Sequence, residues 1–155
     1  MTSFPVPYLL IVLSQLNINN VPMNEFELPS TWTKDFTITY SYSGSMSGSR
    51  TELTITYDSC NYKRQSGMKA PKTNVFVMTE TDRVAILKKM HELKVNTIKS
   101  EMSIAPVDDG WSESLSFGLN GIEGGTSAKM SDKHKEIFSA AHAYLTNFAE
   151  KKSKK

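Results

Sequence analysis

Two runs of strict alternation constrain this chain more than any other feature. "FTITYSY", residues 36–42, places Phe36, Ile38, Tyr40 and Tyr42 on one face and Thr37, Thr39 and Ser41 on the other. "TELTITYD", residues 51–58, repeats the pattern with Leu53, Ile55 and Tyr57. Successive side chains of an extended chain point to opposite faces, so a period of two marks a half-buried strand. Two such runs joined by the small-residue stretch "SGSMSGSR" predict an antiparallel hairpin.

That stretch, residues 43–50, exceeds the about two to five residues of a tight hairpin connection. It does not make a phosphate-binding P-loop. Gly44 and Gly48 enclose three residues where the motif needs four, no Lys follows, and the loop feeds a strand. A P-loop feeds a helix whose N-terminus faces the phosphate. Two readings stay open. In one, the glycines supply positive φ and the serines bond the local backbone of a plain turn. In the other, Met46 sits near the tip among flexible small residues and enters a partner's pocket. The candidate binding residues are Gly44, Ser45, Met46, Gly48 and Arg50, together with Trp111.

The remaining segments extend the sheet and cover it. Residues 60–73, "CNYKRQSGMKAPKT", read as a loop carrying Lys63, Arg64, Lys69 and Lys72, and "NVFVMT" as a short third strand. Thr79 and Asp82 have the spacing of an acidic capping box. They open a helix whose stripe is Val84, Leu87, Met90 and Leu93, with Ile86 beside it. Residues 95–104 are compatible with a strand. "SESLSFGLNG" alternates through Leu115, Phe117 and Leu119, and "IEGGTSAKM" begins one more short strand before its glycines. Ser131 caps a last helix with Ile137, Phe138, Ala141, Leu145 and Phe148 on one face. The order ββ(β)α-ββ-α lacks regular βαβ alternation. It predicts a single α+β domain, a mainly antiparallel sheet packed by two principal helices.

The 155 residues suit one domain large enough to bury a core without a disulfide or metal. The boundaries read as an apolar segment 1–20, a linker 21–35 joining the domain near Trp32, the domain 36–150 and a basic tail 151–155. The net charge is +2, and setting aside the four lysines of the tail leaves a body of −2. Such a tail caps a helix C-terminus and aids solubility. With no base-reading motif, nucleic acid is not the expected partner. The run "YLLIVL" within "FPVPYLLIVLSQL" is too short for a transmembrane helix. It has the length of a signal-peptide core but lacks a charged start and a cleavage site. A degenerate leader is favoured over a buried strand or helix of the domain.

Catalytic and metal motifs were sought and few survive. A lone Cys60 excludes a disulfide framework and a cysteine-cluster zinc site, and no activating base marks it as a nucleophile. "DDGW" invites a calcium reading, but Asp108 and Asp109 are adjacent and a β-turn fits better. Among His91, His134 and His142, the last two lie eight residues apart, about 80° around a helix, and form no ligand pair. No metal or cofactor is expected. "GIEGGTS" is an anion-binding nest or, more simply, a glycine-rich turn. Glu101, Asp108, Asp109, Glu113 and Glu123 make an acidic region opposed to the basic residues 63–72, a dipole able to steer a partner.

The hairpin, basic loop, capped helix, "DDGW", "EGGTS" and final amphipathic helix together resemble small bacterial envelope proteins of lipoprotein type whose function is unknown. The resemblance covers residues 30–150. It implies export with a lipidated N-terminal cysteine, whereas no cysteine precedes Cys60 here. "YSYSGSMSGSRTELTI" is more distantly similar to emfourin-type inhibitors of thermolysin-like proteases, which implies that the hairpin loop would meet the protease. The expected function is a non-enzymatic binding module of the cell envelope that contacts a protein partner through residues 43–50, as an inhibitor in one form. The alternatives are a hydrolase-like enzyme around Asp108, Asp109 and His91, or a structural envelope protein.

Overall fold

The computed structural model describes residues 26–44, 46–102 and 110–154. The expected leader, residues 21–25 of the linker, Ser45 and the Asp108–Asp109 turn lie outside them. The alternating runs form β1 (Ile38–Gly44) and β2 (Arg50–Ile55), paired antiparallel with Ile38 opposite Ile55 and Tyr40 opposite Leu53. β3 (Ser59–Gln65) and β4 (Lys72–Val77) continue the sheet on one side. β6 (Trp111–Phe117) and β7 (Asn120–Gly125) continue it on the other, giving the order β4-β3-β2-β1-β6-β7. A second, two-stranded ribbon joins β5 (Glu101–Met102) to β8 (Ala128–Lys129).

The α+β class stands: a mainly antiparallel sheet with two principal helices in one domain. Several elements differ from expectation for local reasons. Residues 59–65 are not a loop but β3. Cys60 and Tyr62 point inward, yet Arg64 shares their face because it pairs with Glu150 of the last helix, and this breaks the apolar rhythm. The second alternating run ends at Ile55, because Thr56 and Ser59 bond across a turn that starts β3 at once. Tyr57 sits in that turn, under the Arg83 guanidinium at 3.9 Å. Residues 95–102 hold the 3-10 turn Val95–Thr97 and the short β5 in place of one continuous strand, and Lys94 ends the preceding helix in the left-handed region at φ 56°. Leu119 is not a core residue. It sits fully exposed in the β6–β7 turn beside Gly118.

Both helices pack on the inner face of the sheet. α1 (Glu80–Leu93) starts on the complete Thr79/Asp82 capping box. Its buried residues are Ile86, Leu87 and Met90, while Val84 is exposed and Leu93 half-buried. Arg83 donates to the carbonyls of Tyr57 and Met78, which fixes the helix rotation and turns Val84 outward. α2 (Asp132–Lys152), capped by Ser131, buries Phe138, Ala141, Leu145 and Ala149, with Ile137 and Phe148 at the margin. Leu28, Trp32 and Phe36 close the core, with the Trp32 indole donating to the Phe36 carbonyl at 2.8 Å. On the outer face of the central strands, hydroxyls pair across β1 and β6: Thr39 with Ser116, and Ser41 with Ser114 at 2.8 Å.

Two predictions follow from these contacts. Burial pushes the Cys60 thiol up to about 12, and only a thiolate reacts readily. A disulfide reagent at about pH 8 should therefore label the protein only as fast as it unfolds. Labelling faster than global hydrogen exchange would contradict the sealed site. Burial alone would raise the Asp82 carboxyl, but hydrogen bonds from Lys152 and Thr79 outweigh it and hold the group below its ordinary value. A depressed carboxyl contributes stability above its unfolded pKa of about 3.9 and loses it as pH falls through the lower folded value. Asp82→Asn should be less stable than wild type at neutral pH, and the gap in urea midpoint should close on acidification below about pH 4.

Candidate functional site

The inner faces of β1 and β6 carry more than apolar residues. Tyr40 and Tyr42 alternate inward on β1, and Trp111 and Glu113 on β6. The register sets Tyr42 directly opposite Glu113 and Gly44 opposite Trp111. Glu113 is thus flanked across the ladder by one ring and along its own strand by another. It is the one buried charged residue among those described, 6% exposed.

Its carboxylate is held on one oxygen. The Tyr40 hydroxyl donates to Oε1 at 2.6 Å. The Tyr40 hydroxyl is pushed well above its ordinary pKa, first by burial and then by this bond, so it keeps its proton and stays the donor. His142 of α2 stacks on the Tyr40 ring, centroids 5.1 Å apart and planes 5° from parallel, and its Nε2 lies 3.5 Å from the same Oε1. No side-chain oxygen or nitrogen sealed from solvent lacks a partner among the described residues. Among the described residues Oε2 has no hydrogen-bond partner, and it is the oxygen left facing the cleft.

It opens into a cleft of about 530 Å³ between the sheet and α2. Trp111, 42% exposed, stands at the mouth with its ring 6.0 Å from that of Tyr42. On the far wall Glu150 of α2 accepts from Tyr62 at 3.2 Å and pairs with Arg64. A smaller cavity of about 250 Å³ adjoins at Trp111, Glu113 and Ser139 and runs under Gly124 and Gly125. Those glycines permit the close approach. A Cβ on Gly124 would lie 2.8 Å from the Phe138 ring, and one on Gly125 2.4 Å from the Trp111 carbonyl. "GIEGGTS" thus runs through β7 to Gly125 and then turns at Thr126 and Ser127 into β8.

The candidate residues of the hairpin lie at the same end of the sheet. β1 runs to Gly44 and β2 begins at Arg50, which shortens the connection to residues 45–49, closed by Gly44 N–H to Ser49 C=O at 3.0 Å. Met46 projects 84% exposed, and Gly48 sits at φ 61°. Gly48 lies against Gly67 of the β3–β4 connection, and a Cβ there would be 3.5 Å from the Gly67 carbonyl. Arg50 is exposed opposite Gln65. Ser45 lies outside the described residues. Trp111 joins this end through Gly44.

Of the expected acid–base group, only His91 lies among the described residues. His91 bonds the Pro29 carbonyl at 3.0 Å, and Asp108 and Asp109 lie outside the described residues. His134 Nδ1 accepts from the Lys99 backbone. No group of three or more His, Cys, Asp or Glu comes together as a metal site among the described residues. Near His142, the Thr146 hydroxyl donates to the backbone carbonyls of His142 and Ala143, not to the ring. Ser139 lines the same cleft as His142, and among the described residues no hydrogen bond joins its hydroxyl to the ring.

Of the expected acidic region, Glu113 is not at the surface but buried. The signal was present: Glu113 is in phase with Leu115 and Phe117, so the alternation that buries them buries it. No protein-family model matches the chain, and no curated protein matches it in sequence.

The Tyr40–Glu113 bond yields a stability test. Tyr40→Phe keeps the ring but leaves the buried carboxylate short of its donor. An unsatisfied buried group costs about 1–3 kcal/mol, so urea unfolding should shift by that amount. An unchanged midpoint would mean that water replaces the hydroxyl freely.

Proposed function

We propose that this protein is a non-enzymatic binding module that meets a protein partner through the loop end of its sheet. One observation carries the reading. The β1–β2 and β3–β4 connections touch at Gly48 and Gly67, and each projects a methionine into solvent, Met46 and the fully exposed Met68. Methionine is unbranched and polarizable and adapts to irregular pockets. Two of them on adjoining tips offer exposed apolar side chains at one end of the sheet.

The tips are braced rather than loose. Ser49 N–H donates to Ser47 Oγ at 3.2 Å, Lys69 N–H to the Ser66 carbonyl at 3.3 Å and Gln65 Nε2 to the Gly67 carbonyl at 3.2 Å. Bracing lowers the ordering cost of association. Location in the cell envelope, and action as a protease inhibitor, belong to the same proposal and rest on the apolar N-terminal run and on the two resemblances.

Met46→Ser with Met68→Ser tests the reading, since both side chains are exposed and the double variant should unfold at the wild-type midpoint. Crosslinking in the envelope fraction should give a defined adduct with wild type that the double variant loses. Equal yield from both proteins would overturn the proposal. Inhibition of a thermolysin-like protease by wild type alone would establish the inhibitor form.

A further inference from the structure

The loop end explains the methionines but not the buried carboxylate behind them. Glu113 sits on the cleft floor with Oε2 free and its other oxygen taken. Tyr42 faces it across the ladder, Trp111 lies two residues along its strand, and Tyr40 holds it from the third side. A carboxylate in a cleft lined by Tyr40, Tyr42, Tyr62 and Trp111 matches one ligand chemistry. The ring quadrupoles attract a cation, the carboxylate supplies the countercharge, and the rings shed water around the attached methyl or methylene groups.

We propose that this cleft recognises an alkylammonium group, either the side-chain ammonium of a lysine or the quaternary ammonium of a free amine. Anions are disfavoured because Glu113 faces the opening. The cation of the cleft wall, Arg64, is already paired with Glu150 and stands three strands from β6, on the order of 14 Å from Glu113. The site does not depend on the methionine tips, so this inference stands or falls separately from the binding-module reading.

The experiment is a nuclear magnetic resonance titration of the full chain that reads the Trp111 indole N–H. The probes are choline and N-acetyl-lysine methylamide, each against its neutral isostere, 3,3-dimethylbutan-1-ol and N-acetyl-norleucine methylamide. A charged probe should shift the indole saturably with a Kd of about a millimolar, and its isostere should not. Saturation by the lysine probe alone assigns the site to a protein side chain, by choline alone to a free quaternary amine, and by both to either source. Glu113→Gln should weaken binding at least about tenfold, the scale of one lost charge contact. If that variant unfolds, Trp111→Ala replaces it, read on the resonances of Tyr42. No shift with either charged probe, or equal shifts with the isosteres, overturns the proposal.

Discussion

Helix α2 lies across the inner face of the sheet, and most of what distinguishes this molecule depends on that contact. At its start Phe138 presses under Gly124 of β7. In its middle Ala141 and Leu145 are sealed into the core, and His142 lies flat on Tyr40 of β1. At its end Glu150 reaches Tyr62 and Arg64 of β3, and Lys152 reaches Asp82 at the start of α1, at 2.7 Å. One helix thus ties an edge strand, the central strand, the far side of the sheet and the other helix. The apolar contacts supply the favourable free energy of burial. The polar ones fix where along the sheet the helix sits.

That placement also creates the cleft. Small residues at Ala141 and Ala149 let α2 approach the sheet, while the large rings of Tyr40, Tyr42, Tyr62 and Trp111 hold it away toward the loop end. The space between contains Glu113, and the protein tolerates a carboxylate there because one oxygen has Tyr40 and the other has solvent. Losing either support would leave an unpaired polar group in a low-dielectric pocket. The same carboxylate, held in place before any ligand arrives, is what gives the cleft a sign.

Much of the architecture was legible because it rests on local rules. The alternation at residues 38–42 and 53–55, the Thr79/Asp82 box and the Ser131 cap each state an element in a few residues. What was not legible depends on partners distant in sequence. β3 hid because Arg64 points inward toward Glu150, 86 residues away. In the α1 stripe Leu87 and Met90 are buried with Ile86 beside them, and Val84 alone turns outward, because Arg83 anchors to Tyr57 and Met78. The burial of Glu113 follows phase and not charge, since it alternates inward with Leu115 and Phe117. Met46 could be named from sequence, but the approach of its loop to the one that carries Met68, at Gly48 and Gly67, is a property of the strand order.

The outer face of the sheet has a bearing on how copies of this chain behave when crowded. Sheets with one open face stack when that face is flat and apolar. Here its centre is a lattice of serine and threonine hydroxyls bonded to one another across β1 and β6. Such a lattice is uncharged and wets readily, so it neither repels a second sheet nor adheres to one. The apolar side chains of this face, Val75 and Val77, stand on the edge strand β4. Among the described residues, the exposed apolar surface of this face therefore lies at the rim of the sheet and not at its centre.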